Sequence, residues 1–150
     1  MASKYNALFA TCAAVALLVA ASAALAAGQV RGGSYKGSLM PTRDGVVVSF
    51  KVSPSGKQVT ALSVSNTPLY CSGGGPPTPV RFKSASISAA GTFSSTGQWV
   101  IEEGPKKGQV GTKLKISGKF LKGGAEQGTI ATSYVGSPSC GGKSSYKTKA

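Results

Sequence analysis

Apolar and polar residues alternate with a period of two along several short segments of this chain after residue 27. Such alternation is typical of β-strands that bury one face and expose the other. No segment after Ala27 shows the i, i+3, i+4 apolar spacing of an amphipathic helix. The pattern therefore predicts an all-β domain. The alternating segments are 46–52, 80–83, 99–102, 113–120 and 129–135.

Turn signals rich in Gly, Pro and Ser separate these segments, at 54–57, 73–77, 104–108 and 123–124. Short alternating strands at this spacing favour an antiparallel β-sandwich of about eight or nine strands. A closed meander β-barrel is the alternative, because it shows the same alternation along each strand.

One hairpin can be predicted in detail. Segments 112–121 and 127–136 are expected to pair through a turn at 122–126. A register with Leu114 opposite Tyr134 keeps the apolar residues of both strands on one face and the lysines on the other. A slip by one residue would bury three lysines, so this register should be firmly set.

The first residues have the layout of a secretory signal peptide. Lys4 precedes an apolar run at 7–27 that ends in small residues, which predicts a signal-peptide helix at 1–26 with cleavage after Ala26. Residues 27–150 then form a single all-β domain, secreted or held in the cell envelope. The alternative is an uncleaved membrane anchor, since about 20 apolar residues can span a bilayer.

Two cysteines remain after the predicted cleavage, because Cys12 belongs to the signal peptide. In an oxidising compartment Cys71 and Cys140 are expected to form a disulfide, and two free thiols are the alternative. The loop that this bond closes holds about 70 residues, for which chain entropy gives about 4 kcal/mol of stabilisation.

Several strand-and-turn segments follow one another in an order that is also found in a known class of small protein. Gly-Ser-Tyr-Lys-Gly-Ser at 33–38, the strand at 46–53 and the segment 59–62 come before the first of these cysteines. Segments 116–120 and 128–130 come before the second. This arrangement resembles small secreted bacterial β-domains of no known function. The resemblance implies a fold and an export route, and it brings no catalytic residues.

The residues that are absent exclude most catalysis. The sequence has no His and only 4 Asp and Glu, so triads that use an imidazole base cannot form. Metal sites normally need clustered His and carboxylates. Asp44 and Glu126 both look like solvated turn residues, which disfavours a glycosidase-type carboxylate pair. The prediction is a protein that is not an enzyme and that has no cofactor and no metal.

Positive charge is the strongest hint of function. The chain has 17 Lys and Arg against 4 acids, a formal net charge of +13. Such a field attracts polyanions, here anionic envelope polymers or acidic glycans. The alternative is a solvated strand face that only keeps the protein soluble. The predicted polyanion-binding residues are Lys113, Lys115, Lys119, Lys106, Lys107 and Lys122.

Two other kinds of binding protein are compatible with the pattern. A carbohydrate-binding module would use Trp99 and Tyr70 as sugar-stacking platforms, although the neighbours of Trp99 favour a core position. A barrel that carries a small ligand would need an apolar cavity. Nucleic acid is disfavoured, because single-strand binding uses exposed aromatic side chains and most aromatics here share the apolar parity.

Overall fold

The computed structural model describes residues 28–41, 45–66, 78–136 and 141–150. Within these ranges the chain forms nine β-strands, and every strand pairing is antiparallel. The all-β prediction is confirmed. The strands are β1 (Ser34–Met40), β2 (Val47–Val52), β3 (Gln58–Ser65), β4 (Val80–Arg81), β5 (Ala85–Ser86), β6 (Thr92–Val100), β7 (Val110–Leu121), β8 (Ala125–Tyr134) and β9 (Gly141–Lys149).

Several predicted features lie outside the described residues. They are the signal peptide at 1–26, Tyr70, Asp44 and the two disulfide cysteines, Cys71 and Cys140. Each of these stays a prediction from the sequence. None of the described residues belongs to a helix long and apolar enough to cross a membrane.

All nine strands belong to one sheet that is nearly closed. Its order is β4-β3-β2-β1-β9-β8-β7-β6, with β5 paired to β3. The two ends of the sheet meet at a bridge between Phe82 and Gly97, beside a hydrogen bond of 3.4 Å from the Lys83 backbone N–H to the Thr96 carbonyl. The fold is therefore a nearly closed meander barrel. The predicted sandwich is wrong, because alternation shows only that each strand buries one face and cannot show what covers that face.

The inward-facing side chains fill the barrel with a continuous apolar core. Four aromatic rings meet there, with Tyr35 stacked on Phe50 at 4.8 Å between ring centroids and Phe120 edge-on to Tyr35 at 5.4 Å. Phe93 completes the cluster, 5.7 Å from Phe120. Aromatic pairs of this kind add about 0.5–1.5 kcal/mol each beyond the area that they bury. Most of the predicted inward residues of the alternating segments are buried, among them Val46, Val48, Val52, Val80, Leu114, Ile116 and Ile130, whereas Trp99, Ile101 and Tyr134 are only partly buried.

Two irregularities help the sheet to curve. The register between β2 and β3 shifts between Ser49 and Lys51, where Ala61 of β3 adopts a positive φ of 50°. The register between β6 and β7 shifts next to Gly111, whose Cα lies under the Trp99 ring, so that a Cβ there would come within 2.8 Å of the ring. Bulges raise the local twist and bend a strand, which allows a sheet to close.

The β7–β8 hairpin keeps the predicted faces but has a different register. Thr112 pairs with Tyr134, and Leu114 pairs with Thr132, so the predicted pairing of Leu114 with Tyr134 is wrong by two residues. The turn holds three residues, 122–124, instead of five. Gly123 and Gly124 both take a positive φ, which lets the chain reverse direction in so few residues. A shift of two preserves side-chain parity, which is why the lysines still face outward.

The connections between strands lie at the two ends of the barrel. The turn 122–124 marks one end, called the turn end, and the loop 101–109 lies at the other, called the loop end. Since all neighbours are antiparallel, the strands that flank 66–79 and 135–140 also stop at the loop end. The cysteines of the predicted disulfide belong to these two connections, and both lie outside the described residues.

Candidate functional site

The outer wall of the barrel presents lysines in rows. On β7 the side chains of Lys113, Lys115 and Lys119 alternate with buried residues and are exposed. Their outward direction follows from the packing of Leu114 and Ile116 into the core. The structure therefore places half of the predicted polyanion-binding residues on one strand face.

Lysines of β9 join this surface. Lys115 pairs with Ala131 of β8, which pairs in turn with Lys143 of β9. In the same way Gln127 of β8 lies between Lys119 and Lys147. The sequence-based set did not include the β9 lysines, because segment 141–149 lacks the apolar alternation that predicts a strand.

Two grooves lie on this outer wall. The first, of about 570 Å³, is lined by Lys119 and Lys147 together with Ser117, Thr129 and Ser145. The second, of about 630 Å³, lies beside the seam where the barrel closes. Four cationic side chains line the second groove, namely Arg81, Lys83, Lys113 and Lys115. Arg81 and Lys83 were also missing from the sequence-based set.

Carboxylates are kept away from this surface in the part of the chain that the structure describes. Glu102 and Glu103 lie in the 101–109 loop, where the Thr78 hydroxyl donates a hydrogen bond of 3.3 Å to Glu102. Glu126 points into the barrel. The outward residues of β7, β8 and β9 include no acid, so the lysines there have no neutralising partner on their own face.

The other predicted lysines are not part of this surface. Lys106 and Lys107 are exposed on the 101–109 loop at the loop end. Lys122 lies in the turn at the opposite end, separated from them by the length of β7. A strand of 12 residues spans roughly 35–40 Å. The structure therefore does not bring all six predicted residues together.

Among the described residues, one acid lies buried in the barrel interior. Glu126 is 0% exposed, and its carboxylate accepts two hydrogen bonds of 2.7 Å, from the hydroxyls of Tyr146 and Thr148. Burial raises the pKa of Glu126 to about 7, and the two hydrogen bonds oppose this shift only in part. Burial, followed by the charge of Glu126, raises the pKa of Tyr146 above its ordinary value, so the phenol stays a donor.

The prediction that Glu126 is a solvated turn residue is wrong. The turn ends at residue 124, so Glu126 is already the second residue of β8. It has the same parity as Ile130, which is fully buried, and it pairs with Phe120. That shared parity was the signal in the sequence. A five-residue turn would have placed Glu126 outside the strand and so concealed it.

Trp99 lies partly buried against the core, as its neighbours predicted. Its indole Nε1–H has no hydrogen-bond partner, and the buried hydroxyls of Thr112 and Thr132 on the adjacent strands also lack one. Trp99 and Thr112 are directly paired. Trp99 therefore does not form the flat, fully exposed platform on which a sugar would stack. Tyr70, the other predicted stacking residue, lies outside the described residues.

Comparisons with known proteins give no family for this chain: no family model, no curated protein and no solved structure matches it. Among the described residues no three Cys, Asp or Glu side chains group closely enough to hold a metal ion. The site must therefore be interpreted from its own geometry, which is that of a cationic strand face with two shallow grooves.

Proposed function

We propose that this chain is an exported, non-catalytic protein of the cell envelope or extracellular space that binds an anionic surface polymer through the outer face of β7, β8 and β9. The observation that carries the proposal is the set of lysines on β7 and β9 that face the same way with no carboxylate among them. Two grooves on this wall supply concave surface for a ligand.

The energetics favour a ligand with many charges. A single exposed ion pair contributes only about 0–1 kcal/mol, because water and salt screen it. A polymer engages several lysines at once, and each further contact costs little additional entropy. Binding of this kind should therefore weaken steeply as the salt concentration rises, whereas stacking of a neutral sugar on Trp99 should persist.

The absence of catalytic groups in the sequence supports a binding role. The sequence has no His, and burial raises the pKa of Glu126 to about 7. Its carboxyl is enclosed by the barrel and hydrogen-bonded to Tyr146 and Thr148. A general acid or base must reach its substrate within hydrogen-bond distance, which this position does not allow.

Reversing the charge of the β7 lysines should abolish most of the polymer binding. The variant Lys113→Glu/Lys115→Glu/Lys119→Glu is expected to bind inorganic polyphosphate at least about tenfold more weakly at low salt, because attraction becomes repulsion on one wall. Binding can be measured by fluorescence anisotropy with labelled polymer, at low and at moderate salt.

The matched control changes the same number of charges elsewhere. Arg31, Lys51 and Lys57 are exposed, and none of them belongs to β7, β8 or β9. Their replacement by Glu should leave most of the affinity intact. Equal losses in both variants would show that only net charge matters, and unchanged binding in both would exclude the basic face.

A further inference from the structure

The lysines of the outer wall form two parallel rows with a neutral strand between them. One row is Lys113, Lys115 and Lys119 on β7, and the other is Lys143, Lys147 and Lys149 on β9. Between them β8 presents only small or neutral side chains outward, namely Ser133, Ala131, Thr129 and Gln127. We call the two lysine rows the rails and the outer face of β8 the channel.

The dimensions of this arrangement suit a narrow chain. Neighbouring strands lie about 4.8 Å apart, so the two rails are about 10 Å apart with β8 midway. Successive outward residues on one strand are about 7 Å apart. In the strand pairing, Lys115 and Lys143 lie on either side of Ala131, and Lys119 and Lys147 lie on either side of Gln127.

A row of hydroxyls crosses the channel between these two pairs of lysines. Ser117, Thr129 and Ser145 are paired across β7, β8 and β9, and the Ser117 and Thr129 hydroxyls lie 3.2 Å apart. All three line the first groove. Hydroxyl groups that can donate hydrogen bonds therefore line the bottom of the channel, and ammonium groups lie along both of its sides.

We infer that the channel holds a linear polymer of phosphate groups, a polyphosphate or a phosphodiester, extended along β8 with one lysine rail on each side. This inference rests on the proposed function and specifies its ligand. The two charged oxygens of each phosphate project to opposite sides of such a chain and can accept from both rails, whereas the carboxylate of an acidic glycan is a side group that projects in one direction. Lysine suits such a ligand because its ammonium group is a compact charge on a flexible side chain, which can follow the phosphates.

Other anionic partners fit the same surface less well. A flat membrane touches a barrel wall along one line parallel to the barrel axis. Barrel strands tilt by about 35–45° from that axis, so the line would cross the rails without following them. Single-stranded nucleic acid is also a phosphodiester, but its binding uses aromatic platforms for the bases. The outward residues of β7, β8 and β9 include no aromatic side chain, so nothing there would hold a base.

A bulky neutral residue in the channel provides the sharpest test. Ala131 is exposed at the middle of β8, and Ala131→Tyr fills the channel without changing any charge. We expect Ala131→Tyr to weaken the binding of long inorganic polyphosphate about tenfold. Gln58→Tyr on β3, four strands away in the sheet order, should leave the affinity unchanged.

Two further comparisons keep the inference falsifiable if Ala131→Tyr fails to fold. Lys143→Gln/Lys147→Gln should weaken binding as much as Lys115→Gln/Lys119→Gln, since both rails are needed. Affinity should rise from triphosphate to polymers that span the roughly 20 Å of channel, and polygalacturonate and oligo-dT should bind more weakly than polyphosphate.

The results separate this inference from the proposed function. If charge reversal on β7 removes binding but Ala131→Tyr and the β9 variant do not, the basic face stands and the channel is excluded. Polygalacturonate binding as tight as that of polyphosphate would overturn the preference for phosphate, and tighter binding to oligo-dT or to anionic vesicles would assign the surface to another partner. A protein that binds none of these polymers contradicts both proposals.

Discussion

The free energy of unfolding is expected to fall by about 2–3 kcal/mol as the pH rises from about 5 to about 8, because Glu126 must lose its proton inside the barrel. Burial raises the pKa of this carboxyl from 4.5 to about 7 in the folded protein. Between these two values the folded state holds more protons than the unfolded state, so stability decreases with increasing pH. The stabilisation is complete below the lower value and absent above the higher one.

The isosteric variant Glu126→Gln tests this expectation directly. Gln keeps the shape of the protonated acid and can still bond to Tyr146 and Thr148, but it cannot ionise. At about pH 8 the variant should unfold at higher denaturant concentration than the parent protein, and its stability should hardly change down to about pH 5. Chemical denaturation followed by tryptophan fluorescence measures both.

An exposed acid supplies the control. Glu103 lies in the 101–109 loop and is solvent-exposed, so Glu103→Gln should keep the pH dependence of the parent. The sequence has no His, which leaves this pH window free of imidazole titration. The assignment to Glu126 would be contradicted if the Glu126→Gln protein lost stability with rising pH as steeply as the parent.

Replacing Gly128 with Ala is expected to destabilise the barrel by at least about 3 kcal/mol. A Cβ at this position would overlap the backbone carbonyl oxygen of Ser117 and come within 2.7 Å of the Tyr146 ring. The carbonyl belongs to β7, which pairs with β8 on either side of this position, so it cannot move without breaking that pairing. Gly128 also faces Gly118, where a Cβ would overlap the Glu126 carboxylate and come within 2.6 Å of the Phe93 ring.

A glycine in open space separates this steric effect from the general cost of a Gly-to-Ala change. Gly104 has a φ of +82°, and a methyl group added to its Cα would meet no other atom within 4 Å. Gly104→Ala should therefore cost only about 1–2 kcal/mol of backbone strain. Thermal or urea unfolding of the two variants should differ clearly. Similar losses in both would show that the close approach at Gly128 is relieved by relaxation of the strands.

Local pattern predicted the sides of the strands well. Leu114 and Ile116 face the core, and Lys113 and Lys115 face solvent, because each side chain of a strand points opposite to its neighbours. This is a property of the strand itself, so a few residues suffice to reveal it. The β7 half of the candidate site was found in this way.

The sequence pattern did not predict the features that depend on turn length. The register of the β7–β8 hairpin differs from the predicted one by two residues, because two consecutive glycines with positive φ close the turn in three residues. Parity is the same in both registers, so hydrophobic patterning does not distinguish them. The same difference moved Glu126 from an exposed turn to a buried position.

Local alternation was enough to show that this chain consists of strands, which side of most strands faces inward, and that the outward face of β7 is basic. The closure of the sheet through Phe82 and Gly97, and the position of β9 between β8 and β1, became visible only in the folded barrel. Alternation is a local property of the backbone, whereas the pairing of β1 with β9 and the closure of the sheet depend on contacts between residues distant in the chain.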